Sequence, residues 1–191
     1  MGAASAQLSV LAEAIPPRVD VCDLGSGAGL PGIVLGIVRP DLTVTLVEPL
    51  LRRTTFLVEA VEELGLVNVE VVRARAEDLH GHRDFAVVTS RAVAPLERLL
   101  DWSMPLVRQS GALVAMKGAS VRDEIDAAAA ALRRHGAGPV SVQEYGAGVV
   151  DPPTTVLRVE ATLPSGLATA KRVERRGRGD GGRGAGSRKG R

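Results

Sequence analysis

Apolar residues along this chain recur in two alternating rhythms. Val19–Asp23, Leu42–Val47, Asn68–Arg73, Phe85–Thr89 and Gly111–Met116 are short runs, β-branched or alternating, of strand length. Between them, Gly32–Val38, Leu50–Leu64, Pro95–Val107 and Val121–His135 carry apolar residues at helical spacing. In the second of these helices Phe56, Leu57, Ala60, Val61 and Leu64 form an apolar face; in the third, Leu96, Leu99, Leu100 and Trp102 read as core contacts. Val140–Tyr145 and Thr155–Val159 close the pattern as a hairpin-like pair at a sheet edge. Strands alternating with helices predict an α/β fold, a Rossmann-like doubly wound and mostly parallel sheet. A length of 191 residues suffices for one such domain with a complete core.

The first strand-to-helix junction carries the densest chemistry. The strand ends in Asp23, three glycines follow at alternate positions (Gly25, Gly27, Gly29), and Pro31 opens the helix. Glycine serves where the backbone turns sharply and where a Cβ would stand between chain and ligand. Proline suits the first helical position, where its missing N–H costs nothing. The free N–H groups of that helix are expected to face a ligand over the loop and to favour its carboxylate or phosphate. A nucleotide-like cofactor follows, and two readings fit. Gly27-Ala-Gly29-Leu-Pro-Gly32 satisfies the GxGxxG of dinucleotide enzymes, with Glu48 about 20 residues on, as a nicotinamide-dependent oxidoreductase requires. The longer Asp23-x-Gly25-x-Gly27-x-Gly29 resembles the first motif of the class I S-adenosylmethionine-dependent methyltransferases. That cofactor has no phosphate, and its two ribose hydroxyls suit an acid at the end of the second strand, where Glu48 stands.

Ligand crevices of open α/β sheets lie at the carboxyl ends of the strands. Ala76-Glu77-Asp78 follows the third strand and Ser90-Arg91-Ala92 the fourth. Acid-rich turns after a third strand suit an adenine, although Glu77 and Asp78 serve equally as N-capping acids. Arg91 has an ion pair with Glu77 or Asp78 as its alternative role. Lys117 ends the fifth strand at the crevice edge.

Taken in order, Asp23-Leu-Gly-Ser-Gly-Ala-Gly-Leu-Pro-Gly32, Glu48-Pro-Leu-Leu-Arg-Arg53, Arg75-Ala-Glu77, Ser90-Arg-Ala92 and Met116-Lys-Gly118 resemble the small-subunit (16S) ribosomal RNA guanine-N7 methyltransferases, the glucose-inhibited division protein B family. The resemblance runs from about Leu8 to Val159. It implies an S-adenosylmethionine-dependent enzyme that methylates a guanine N7 of 16S ribosomal RNA in the small ribosomal subunit. Alongside the loop residues Asp23, Gly27 and Gly29, it implies cofactor contacts at Gly25, Leu30, Ala76, Glu77 and Arg91, with Glu48 on the ribose. Arg52, Arg53, Arg75 and Lys117 match basic positions around the RNA cleft, and Arg91 and Lys117 are the candidates for positioning the base. Family members begin with several helices, including a His-Leu-Leu-Asp-Ser-like segment. Met1 to Ile15 hold none of it, so those helices are expected to be lacking here. A non-catalytic domain that retains cofactor or RNA affinity is therefore the alternative to an enzyme.

Guanine N7 carries an in-plane lone pair, so attack on a sulfonium methyl needs no general base. It needs an in-line approach and a purine held still, and orientation of that kind supplies about 7–11 kcal/mol in favourable cases. The sequence matches in what it lacks. The Asn/Asp-Pro-Pro-aromatic motif of exocyclic-amine methyltransferases is replaced after the fourth strand by Ser90-Arg-Ala-Val, and Asp151-Pro-Pro-Thr154 lacks the aromatic and reads as a turn. Cys22, mid-strand, reads as a small buried apolar residue. His80, His82 and His135 show no metal-ligand spacing and read as surface residues, and no metal is expected.

The net charge of +2 conceals an asymmetry. Residues 171–191 hold nine Lys/Arg against two acids, a net +7 that leaves −5 for residues 1–170. With seven glycines among those 21 residues, the tail cannot bury a core. The reading is a methyltransferase domain over 1–165 and a disordered Gly/Arg arm over 166–191, suited to phosphates without sequence information. Aromatics at 2% argue against an extended base-stacking surface, so RNA is expected to be held mainly by its phosphates. No apolar run approaches the length of a membrane span and a single cysteine excludes internal disulfides, so a cytoplasmic chain is expected; the sequence does not set the oligomeric state, with a monomer favoured.

Overall fold

The computed structural model describes residues 3–91 and 94–162, with side chains from residue 7 onward. Ala92 and the basic arm over 166–191 lie outside the described residues. In chain order the elements are α1 (Ala3–Val10), a 3-10 turn (Leu11–Ala14), β1 (Asp20–Leu24), α2 (Gly32–Val38), β2 (Thr43–Val47), α3 (Leu51–Glu63), β3 (Val69–Val72) and α4 (Ala76–Leu79). They continue as β4 (Phe85–Arg91), α5 (Leu96–Ser103), a second 3-10 turn (Met104–Leu106), β5 (Val107–Lys117), α6 (Val121–Ala127), α7 (Ala129–Arg134), β6 (Ala137–Tyr145) and β7 (Thr154–Ala161).

The seven strands form one sheet in the order β3-β2-β1-β4-β5-β7-β6. β1 to β5 are parallel, and β7 runs antiparallel between β5 and β6. The order reverses beside β1, which places the topological switch, and the crevice it opens, at the ends of β1 and β4.

Alternation along the strands sends side chains into two cores. On one face Val21, Val44, Leu46, Val87, Ala112 and Val114 pack against Leu35 of α2 and Leu57 of α3. On the other, Cys22, Leu24, Val88, Leu113 and Ala115 pack against Leu96, Leu99 and Leu100 of α5 and Ala131 of α7. Central strands buried on both faces explain the near-continuous apolar runs of the sequence. Cys22 is fully buried, as expected, and that burial pushes its thiol pKa up.

Helix ends follow local chemistry. α3 stops at Gly65 (φ 63), whose N–H reaches Glu62 O at 3.1 Å while Leu66 N–H reaches Val61 O at 3.0 Å, a Schellman closure. The helix expected over Val121–His135 is two helices broken at Ala128, and the one expected over Pro95–Val107 gives way to a 3-10 turn around Pro105. At the opposite end of the sheet from the crevice, Asp20 accepts Ala86 N–H at 3.1 Å and pairs with Arg108.

Candidate functional site

The loop after β1 is held from below by two acids. Asp23, 1% exposed, accepts the Gly32 N–H on Oδ2 at 2.9 Å, and its main-chain oxygen accepts Ser26 Oγ at 2.8 Å. Burial pushes the Asp23 carboxyl up to about 7, against the opposing pull of the Gly32 and Ser26 hydrogen bonds and the Arg91 charge. Two sequence expectations change here. Pro31 is the N-cap residue and α2 begins at Gly32. The Gly32 N–H of that helix end faces Asp23, so it is spent on an internal acid and does not await a ligand anion. Asp23 itself lies beneath the loop and outside the cleft lining, its carboxylate turned to the Gly32 N–H, while the next residue, Leu24, lines the cleft.

Glu48, at the carboxyl end of β2, is the second acid. It is 2% exposed, and its Oε2 accepts Gly27 N–H at 3.0 Å while Oε1 accepts Leu50 N–H at 3.0 Å. Arg53 Nη1 stands 3.6 Å from Oε2. Each carboxylate oxygen has two acceptor sites, so two remain after the backbone bonds. Gly27 has φ +57, and a Cβ on it would meet no protein atom nearer than Gly25 O at 3.8 Å. The space above Gly27 is therefore open cleft. Gly29 differs: a Cβ there would collide with Ile33, which makes this glycine a packing residue outside the lining.

The cleft over these strand ends has a volume of about 850 Å³, within the roughly 300–1,000 Å³ typical of small-molecule pockets. Of the sequence-predicted cofactor residues, it brings together Gly25, Gly27, Leu30, Glu48, Ala76, Glu77 and Arg91. Of the basic candidates, Arg53 and Arg75 line it, whereas Arg52 is exposed on α3 beside it. The two acids after β3 divide the alternatives between them. Asp78 Oδ2 accepts Arg75 N–H at 2.9 Å as part of the α4 cap, and Glu77 lines the cleft.

Arg91 is exposed at the end of β4 and makes no ion pair among the described residues, so its alternative role with Glu77 or Asp78 is not adopted. Lys117 ends β5, as expected, beside the main cleft rather than in it. Its side chain is 9% exposed, it is absent from the main cleft, and its Nζ bonds Glu124 Oε2 at 2.7 Å and Ala94 O at 3.4 Å. An adjoining hollow contains Lys117 together with Arg91.

Trp102 is a residue whose role the helical periodicity hid. It packs partly on the core, as expected, but also lines the cleft. Its carbonyl accepts His80 Nε2–H at 3.0 Å, so His80 is half-buried between α4 and α5 rather than a free surface residue. His135 is likewise half-buried against Asp101 at 2.7 Å. No cluster of three or more His, Cys, Asp or Glu among the described residues is placed to hold a metal. No described helix is long and apolar enough to cross a membrane.

Residues 5–151 match the family model GidB, rRNA small subunit methyltransferase G. The chain belongs to that family. A relative from Nocardioides sp. named ribosomal RNA small subunit methyltransferase G is 63% identical over 151 residues, covering 79% of this chain and 60% of its own. One of the same name from Streptomyces avermitilis is 53% identical over 169 residues, covering 87% of this chain and 71% of its own. The chain thus spans 60% of the length of the Nocardioides relative. Among solved structures, a methyltransferase from Pyrococcus furiosus superposes with TM-score 0.63 at 13% identity, covering 81% of each chain. An S-adenosylmethionine-dependent O-methyltransferase from Thermotoga maritima gives 0.62 at 12% identity, covering 83% of this chain and 64% of its own. The fold is that of the class I S-adenosylmethionine-dependent methyltransferases.

Proposed function

We propose that this member of the family transfers a methyl group from S-adenosylmethionine to N7 of a guanine in 16S ribosomal RNA. The observation that carries the reading is the pairing of Glu48 with Gly27 at the cleft floor. It sets a buried carboxylate, with one acceptor site left on each oxygen by the backbone bonds and Arg53 3.6 Å from Oε2, beside the open space above Gly27. A pair of vicinal ribose hydroxyls meets that arrangement donor to acceptor. A dinucleotide pyrophosphate is poorly served, because the loop's N–H groups are engaged: Gly32 with Asp23, Gly27 with Glu48, and Gly29 and Leu30 with Ser26 O.

S-adenosylmethionine supplies an electrophilic methyl on a sulfonium, and the bond electrons leave with sulfur. The chain's own task is to hold and orient. Glu48 takes the ribose, the Gly25–Gly27 backbone permits close approach, and Ala76 and Trp102 add apolar wall. Glu77 offers a carboxylate acceptor at the rim. Because N7 attacks with its own lone pair and releases no proton, no side chain has to act as base. Arg91, at the boundary between the cleft and the adjoining hollow, positions the incoming nucleotide, and Arg53 and Arg75 meet phosphates at the mouth.

The test is incubation with methyl-labelled S-adenosylmethionine and small ribosomal subunits lacking the modification, followed by nucleoside analysis. Label in N7-methylguanosine is expected. Label absent from RNA, with S-adenosylhomocysteine still bound, would mark the chain as a binding domain instead.

A further inference from the structure

Beside the main cleft lies a second hollow of about 670 Å³, bounded by Arg91, Ala94, Met116, Lys117, Ser120 and Glu124. Arg91 belongs to both spaces. The register Arg91↔Met116 between β4 and β5 puts Lys117 one residue beyond Arg91, and Glu124 of α6 reaches across to it.

The hydrogen-bond capacity of this pair is not exhausted. An ammonium has three N–H donors. Lys117 spends two of them, on Glu124 Oε2 at 2.7 Å and Ala94 O at 3.4 Å, and the third has no acceptor among the described residues. Glu124 Oε1 meets only Ser120 Oγ, at 3.5 Å, among the described residues. Among the described residues the site therefore offers one donor beside one acceptor, and Glu124 cancels the lysine charge. That neutrality matters, because the purine becomes cationic on N7 methylation and an unpaired cation beside it would oppose the reaction.

We propose that Lys117 and Glu124 read the guanine identity of the acceptor base, an inference that rests on the methyltransferase reading above. With N7 turned into the main cleft and the Arg91 guanidinium left to the phosphate, the next groups around the ring are the O6 acceptor and then the N1–H donor. Lys117 Nζ donates to O6, and Glu124 accepts from N1–H. Adenine presents a 6-amino donor and an N1 acceptor in the same places, so both contacts become unpaired. Sites built to hydrogen-bond a substrate discriminate strongly against analogues that leave their polar groups unmatched.

The experiment uses small-subunit RNA assembled by ligation, with a single analogue at the position the wild-type protein methylates. Inosine keeps O6 and N1–H; 2,6-diaminopurine keeps N7 and the 2-amino group but reverses the other two. Methylation of inosine within ~10-fold of guanine, and of 2,6-diaminopurine at least ~100-fold more slowly, is expected. Glu124→Gln should narrow the guanine-to-diaminopurine ratio by at least ~10-fold while S-adenosylhomocysteine affinity is unchanged. Equal rates on the two analogues, or a Glu124→Gln variant that slows both alike, would overturn the assignment. Should that variant not fold, the analogue comparison on wild-type protein decides alone. A wild-type chain that neither binds S-adenosylhomocysteine nor methylates guanine-containing RNA would overturn the methyltransferase reading, and this assignment with it.

Discussion

Glu48 Oε2 accepts the Gly27 N–H at 3.0 Å, tying the end of β2 to the loop that follows β1. This bond joins the two strand ends that frame the cleft and fixes a carboxylate where ribose hydroxyls are expected. Replacing Glu48 by Gln keeps the shape but turns a charged acceptor into an amide. Hydrogen bonds to charged groups contribute about 1.5–3 kcal/mol, so affinity for S-adenosylmethionine should fall roughly 10- to 150-fold. Equilibrium dialysis with labelled cofactor measures this directly.

Gly32→Ala tests the close seating of α2 on the sheet. A Cβ at residue 32 would collide with the side chains of Leu46 and Asp23. Forced repacking of this kind typically costs about 1–3 kcal/mol. Urea unfolding should show the loss as a lower midpoint with an unchanged slope.

Asp23 makes stability depend on pH with an unusual sign. Its folded pKa, pushed up to about 7 by burial, lies above the ordinary value of 3.8. Between those values the folded chain binds more protons than the unfolded one, so this group lowers stability as pH rises from about 4 to about 7, and its effect is level above that. Asp23→Asn removes the titration. The variant should gain on the parent steadily across that window in urea unfolding at pH 5, 6, 7 and 8; a parallel pair of curves would count against the assignment.

How much of this was legible in the sequence depends on the length scale of each signal. α2 spans the Gly32–Val38 that the apolar spacing predicts, although Pro31 caps it rather than opening it, and the five parallel strands fall within a few residues of their apolar runs. The break at Ala128 was hidden, because the Ala127–Ala131 run has no polar residue to mark a face. β5 reaches back to Val107, past a register shift opposite Phe85–Val87 that no local pattern announces. Within the site, Glu48 was readable because it ends a strand. Asp23 stands one residue before the end of β1, and its side chain turns under the loop, a matter of pleat and not of composition. Lys117 and Glu124 are seven residues apart across a turn, and only the fold brings them to 2.7 Å.

Arg91→Ala separates binding from folding. Arg91 is exposed and unpaired among the described residues, and surface substitutions of that kind change stability by about 0.5 kcal/mol or less. Methylation of small subunits should nevertheless lose at least ~10-fold in kcat/KM, about 1.4 kcal/mol of transition-state stabilisation. Steady-state kinetics beside a thermal melt separates the two effects.

The most direct test of the central claim is a crystal structure with S-adenosylhomocysteine. The ribose hydroxyls should lie within hydrogen-bond distance of Glu48, with the sugar over the Gly25–Gly27 loop. A ligand bound away from Glu48, or a cleft that stays empty at saturating ligand, would contradict the account.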